Sequence, residues 1–160
     1  MKVYHGSTSI IESPIASAGR DRLDFGKGFY VTDVKSQAES WADRMSRINE
    51  VPGVVSVYEL DMEEVKRRFS YKHFEHYDNE WLQYIVANRT GSTAIEHYDI
   101  IEGGVANDRV IDTVEAYIAN LMTLEMALRE LSRHQPNNQF CICSQAVIDE
   151  CMTFVESYKI

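Results

Sequence analysis

Two short motifs concentrate the residues of this chain whose types and spacing could do chemistry. Tyr4-His5-Gly6-Ser7 sets an imidazole beside a glycine near the end of a strand-like run. Gly26-Lys27-Gly28-Phe29-Tyr30-Val31-Thr32 brackets an aromatic strand with glycines and runs straight into an amphipathic segment that carries Trp41. Each motif alone has a bland reading: a histidine near a strand end is more often structural, and an aromatic strand between glycines usually means core packing with a bulge. The two together, about 20 residues apart and in this order, are much more specific. The carboxylates that could join them are Glu80, in Asp78-Asn79-Glu80-Trp81, and Glu102 at a strand end. Glu80 also suits a structural role, since a glutamate at a helix start favours the positive end of the helix dipole. Metal chemistry is not expected. Cys141, Cys143 and Cys151 form no CxxC pair, and partner ligands at metal spacing are missing.

The elements that must position these residues follow from periodicity. Lys2 to Gly6 reads as a strand, and Lys27 to Thr32 as a second one. Asp33 is placed to cap a helix whose apolar face is Ala38, Trp41, Ala42 and Met45. Pro52-Gly53 turns the chain into the clearest strand, Val54 to Leu60. Helical spacing returns at Trp81, Leu82, Ile85 and Val86, and Tyr98 to Glu102 reads as a strand stopped by Gly103-Gly104. Asn107-Asp108-Arg109 suits the cap of a helix marked by Val110, Ile111, Val114, Ile118 and Leu121, and Leu124, Leu128 and Leu131 mark another. Gln139 to Cys143 reads as the last strand, with Cys141 and Cys143 on one face. Val147, Cys151 and Phe154 then give a terminal helix capped by Ser144. This order predicts one α+β domain over residues 1–160.

Composition narrows the function. With 16 basic and 25 acidic residues the net charge is -9, which disfavours non-specific binding to nucleic acid. The one basic cluster, Lys66-Arg67-Arg68 with Lys72 and His73, reads as the solvated end of a helix, the sharper alternative being a contact for nucleic acid or an acidic target. Met1-Lys2 leads directly into a strand-like run and no segment approaches about 20 apolar residues, so neither a signal peptide nor a membrane span is expected. Three cysteines without framework spacing suit reduced thiols in a cytoplasm.

Phe25-Gly26-Lys27-Gly28-Phe29-Tyr30, preceded by Tyr4-His5-Gly6-Ser7, resembles the ADP-ribosyltransferase superfamily, in its branch with a His–Tyr–Glu triad, the poly-ADP-ribose polymerase and diphtheria-toxin type. The whole chain also looks like a small bacterial family of ADP-ribosyltransferase-like proteins often called domain of unknown function 3990. The shared features there are both motifs, Trp81 with Asn88-Arg89, Asp99 to Gly103, Val105-Ala106-Asn107-Asp108 and Asn138-Gln139-Phe140. The resemblance implies a split, twisted sheet with flanking helices and a cleft for NAD, which is a substrate here and not a resident cofactor. It implies that NAD contacts come from His5, Gly6, Ser7, Phe25, Gly26, Gly28, Tyr30 and Trp41. His5 would hold the adenosine-side ribose, Gly6 would bind the nicotinamide amide through its backbone, and Tyr30 and Trp41 would stack on the nicotinamide ring from two sides.

Two departures temper the resemblance. The branch usually has a serine three residues before the second stacking aromatic, and this chain has Ala38. The third triad member should be a glutamate at the start of a late strand, where it steadies the developing cation. This chain has Gln139. A neutral amide can bond a ribose hydroxyl but offers no full charge. The set implied by position is His5, Tyr30 and Gln139, with Glu80 as the alternative carboxylate. The expected activity is mono-ADP-ribosyl transfer to a protein or nucleic-acid target, never polymer synthesis, in a toxin or defence effector with a cognate antitoxin as its protein partner. The competing expectation is a catalytically weak or inactive module that binds NAD or ADP-ribose.

Overall fold

Val54-Val55-Ser56-Val57-Tyr58-Glu59-Leu60 buries every residue but Glu59, and a β-branched run buried on both faces belongs at the centre of a sheet. In the computed structural model, which describes residues 1–160, this strand, β3 in chain order, pairs antiparallel with β1 (Lys2–Ser7) and β7 (Met152–Lys159). A second sheet has four strands in the order β2 (Phe29–Val31), β6 (Gln139–Ile142), β5 (Ile100–Gly103) and β4 (Tyr71–Phe74). Its β4 and β5 run parallel and its other pairs antiparallel. The two sheets meet at one residue pair, Tyr4 and Thr32, which exchange both backbone hydrogen bonds at 2.8 and 3.0 Å. The expected α+β class therefore holds, with two sheets joined by a single bridge.

Six helices complete the chain: α1 (Lys35–Asn49), α2 (Met62–Arg68), α3 (Asn79–Thr90), α4 (Ile111–Ile118), α5 (Leu124–Leu131) and α6 (Gln145–Cys151). One core joins the two sheets, with Val3, Tyr58 and Leu60 packed among Phe29, Val31, Ile100, Phe140 and Ile142 and closed by Val147 of α6. A second core covers the other face of the four-stranded sheet, where Phe74, Ile101 and Cys141 meet Trp81, Leu82 and Ile85 of α3, Val114 of α4 and Leu131 of α5. Trp81 is fully buried and its indole N–H donates to the Gly104 carbonyl at 2.7 Å, so the large ring leaves no orphan donor. Truncating a buried tryptophan to alanine costs about 3–5 kcal/mol. A third, small cluster seats α1 on β3 through Ala38 and Ala42 against Val55 and Val57.

Several local expectations change. Asp33 does not cap α1, because its carboxylate accepts from Asn138 Nδ2 at 3.2 Å. Thr32 closes the first turn instead, its Oγ1 accepting the Val34 N–H at 3.1 Å. Trp41 is not on the buried face of α1: Ala38 and Ala42 are, and Trp41 is 45% exposed. Leu121 lies beyond α4 and is 80% exposed. Phe154 does not extend the last helix. The chain passes from Cys151 directly into β7, whose side chains alternate, and Phe154 stands opposite Tyr58 with their rings 5.8 Å apart. Ser144 occupies the N-cap of α6 but makes no capping bond.

The sequence reading gave no element at β4, bounded no helix over α2 beyond its basic end, and read helix where β7 begins. The basic run nonetheless falls in the last turn of α2, where cations suit the helix dipole. Arg67 pairs with Glu64, and Arg68 with Glu64 and Glu150, so it is an ion-paired helix end.

Candidate functional site

The glycine-bracketed segment folds into a loop clipped by the tyrosine that ends it. Gly26 takes a left-handed backbone, φ 83°, which a residue with a side chain adopts only under strain. That turn brings the Gly26 carbonyl to the Tyr30 hydroxyl, which donates to it at 2.7 Å and accepts the Phe25 N–H at 3.1 Å. Burial pushes the Tyr30 phenol well above its ordinary range, with the neighbouring Cys141 adding to the shift, so the group stays neutral. Phe25 is buried against Phe74, ring centroids 6.0 Å apart. Gly28 lies against Cys141 on β6, and Lys27 turns outward to Asp21 at 3.2 Å.

The loop is tied down by a charge that sequence reasoning missed. Asp24 is 7% exposed and accepts from Arg89 Nε at 2.6 Å, Arg89 Nη2 at 2.6 Å and the Ala106 N–H at 2.7 Å. It therefore fastens the start of the loop to the end of α3 and to the segment after β5. Asn137 does the same for the strand that follows, its Oδ1 accepting the Val105 N–H at 2.8 Å.

His5 reaches Tyr30 through the backbone. Its Nδ1 bonds the Tyr30 carbonyl oxygen at 2.7 Å, which requires the Nδ1–H tautomer, and its ring stacks on Phe29 with centroids 4.5 Å apart. Phe29 and Tyr30 alternate across β2, so the imidazole and the phenol ring lie on opposite faces of the sheet. Burial lowers the His5 pKa, the bond to Tyr30 opposing this only in part, and Nε2 has no partner within the protein. Gly6 sits where β1 crosses α1, and a Cβ there would overlap the Ala38 carbonyl and stand 2.9 Å from the Ala42 nitrogen. Ser7 folds onto Ser9, its hydroxyl donating to the Ser9 carbonyl at 2.7 Å.

Gln139 opens β6 as expected. Tyr30 stands opposite Cys141, two residues on from Gln139, so Tyr30 and Gln139 project from the same face of neighbouring strands. Asn138 holds this start in place. Its carbonyl accepts from Thr32 Oγ1 at 2.7 Å, and its amide donates to Asp33 and Glu102, each at 3.2 Å. The Gln139 side chain is half-buried and makes no hydrogen bond within the protein. Arg44 of α1 stands over the Trp41 ring, 5.7 Å from its centroid, and reaches Asp108 at 3.6 Å. The Trp41 flank of α1 thus faces the Asn107-Asp108-Arg109 turn across the seam between the sheets.

The two rival carboxylates lie elsewhere. Glu80, in the first turn of α3, is ion-paired with Lys72 of β4. Glu102 points to the opposite face from Tyr30, where it accepts from the Tyr71 hydroxyl and from Asn138, with His73 Nε2 at 3.9 Å. No group of three or more histidine, cysteine, aspartate or glutamate side chains is arranged to hold a metal ion, and no helix is long and apolar enough to cross a membrane.

These features define the chain as an α+β protein of two sheets joined at Tyr4 and Thr32. It belongs to the family described as Protein of unknown function (DUF3990), whose pattern matches residues 1–154. No curated protein and no solved structure shows significant similarity to the chain.

Proposed function

We propose that this protein is an ADP-ribosyltransferase-like domain that takes NAD as substrate and transfers one ADP-ribose to a protein or nucleic-acid acceptor. The observation that carries the reading is the junction at the seam. His5 bonds the Tyr30 backbone at 2.7 Å, while the Tyr30 ring shares its sheet face with Gln139. In this reading nicotinamide stacks between Tyr30 and Trp41 once Arg44 leaves the indole face. The bond between ribose C1′ and the nicotinamide nitrogen breaks, its electron pair leaving with nicotinamide. An acceptor nucleophile bonds C1′ and releases its proton to solvent. Gln139 bonds a ribose hydroxyl and steadies the cation weakly, so turnover is slow and stops at one unit. A toxin or defence role, with a neutralising protein partner over the cleft, follows from analogy of family alone.

The test is to incubate the purified protein with labelled NAD and a cell lysate, with Tyr30→Ala as control. Label on a macromolecule with the wild type only supports the transferase. Gln139→Ala should then lower turnover more than affinity. Equal turnover in that variant would move the role to a carboxylate, with Glu80→Gln as the next variant to assay.

A second reading, a module that binds NAD or ADP-ribose without turnover, is favoured by two observations. Ala38 is buried where the branch carries a donor serine, and Gln139 is neutral. Its signature is NAD protecting the protein against thermal unfolding with neither label transfer nor free nicotinamide.

A further inference from the structure

Beside the proposed pocket lies a pair of sulfurs that the NAD reading does not use. Cys141 and Cys143 project from the same face of the chain at the end of β6, with their Sγ atoms 3.6 Å apart. Cys141 is fully buried, stands opposite Tyr30 and lies against Gly28. Cys143 is only part-buried and borders a hollow of about 400 Å³ whose walls include Lys27 and Gln145. Cys151, the third thiol, is buried in the core between the sheets, away from this pair.

We propose that Cys141 and Cys143 form a reactive dithiol that hydrogen peroxide, entering through the Lys27 hollow, converts to a disulfide. The Cys143 thiolate attacks the peroxide oxygen, its sulfur becoming a sulfenic acid as the O–O bond breaks and one water leaves after protonation. The Cys141 thiol then attacks that sulfur, the S–S bond forms, and the sulfenic oxygen leaves as a second water. Two thiols lose two hydrogens and the peroxide gains them. The roles follow from the surroundings. Burial holds the Cys141 thiol protonated, while the hydrogen bond from Cys141 favours the thiolate at Cys143, against its own burial and the nearby Asp99. Two residues of extended chain span about 6.6 Å, at the upper end of the roughly 4.4–6.8 Å between Cα atoms that a disulfide bridges. Closure therefore draws in the end of β6 and loosens its pairing with β2, the strand that carries Tyr30.

The test uses the wild-type protein. After hydrogen peroxide and blocking of free thiols with a maleimide, trypsin with a glutamate-specific protease frees His134–Glu150, which holds Cys141 and Cys143 without Cys151. The expected peptide is two hydrogens lighter than the dithiol and carries no maleimide, and dithiothreitol restores two blockable thiols. Cys143→Ser, at the more exposed position, should leave one maleimide on Cys141. Two maleimides after peroxide, a sulfinic acid on Cys143 without a disulfide, or covalent dimers alone would overturn the dithiol. Amide hydrogen exchange over residues 29–31 should quicken in the oxidised protein, and unchanged exchange would overturn the link to Tyr30. Neither readout depends on NAD, so the dithiol and the transferase reading can fail separately.

Discussion

The three-stranded half of the sheet brings its share of the site into place by lacking side chains, and the four-stranded half by burying charge. At β1 the backbone of Gly6 lies directly against the backbone of α1 at Ala38 and Ala42. At the Tyr30 loop the contacts are polar: Asp24 with Arg89 and Ala106, Asn137 with Val105, Asn138 with Thr32, Asp33 and Glu102. Close backbone packing tolerates no added atom but is indifferent to pH and salt. A charged anchor tolerates shape change poorly for another reason, because removing one partner leaves the other desolvated and unpaired. The two halves should therefore fail differently.

The largest effect is expected at the charged anchor. Asp24→Ala strands Arg89 and the Ala106 N–H and should cost about 2–3 kcal/mol in urea unfolding, the figure reduced because Arg89 keeps a quarter of its side-chain exposure. A loss below about 0.5 kcal/mol, the level of an exposed pair, would erase the contrast. Next comes Gly6→Ala, whose Cβ must push α1 off the strand, at about 1–3 kcal/mol for overpacking. Its cost should be the same in low and high salt. Tyr30→Phe removes the clip on Gly26 and should cost about 1 kcal/mol, with the fold kept by circular dichroism.

The smallest effect is the His5 dependence on pH. Its folded pKa lies below the ordinary 6.5, so below that value the unfolded state binds more protons and stability falls. The melting temperature should therefore drop as pH is lowered from 7.5 toward 5.5, and His5→Gln should flatten that slope. An identical slope in the variant would mean other groups carry it.

Long-period features were legible in the sequence. The strand Val54–Leu60, the helix around Trp81 and the late strand at Gln139 all stand where periodicity placed them. What escaped was set by single partners far along the chain. Nothing near Asp24 announces Arg89, 65 residues away, and Asp33 reads as a cap until Asn138 claims it. Trp41 fits a helical apolar stripe by spacing, yet the close approach of β1 admits only alanines there. At the other end, helical spacing over Val147 and Cys151 masked the switch to period two at Met152. Of the site itself, the sequence placed His5, Tyr30 and Gln139 on three strands, but neither the pairing of those strands nor the opposite faces of His5 and Tyr30.

The Tyr4–Thr32 pair also makes the molecule mechanically uneven. Each sheet is laced along its length by ladders, while the joint between them has two backbone hydrogen bonds and the His5 contact. Backbone lacing is thus dense within each plate and sparse across the line between them, where the shared core does the holding. Any shift of one plate against the other must therefore slide the side chains of Val3, Tyr58 and Leu60 over those of Phe29, Val31 and Ile142.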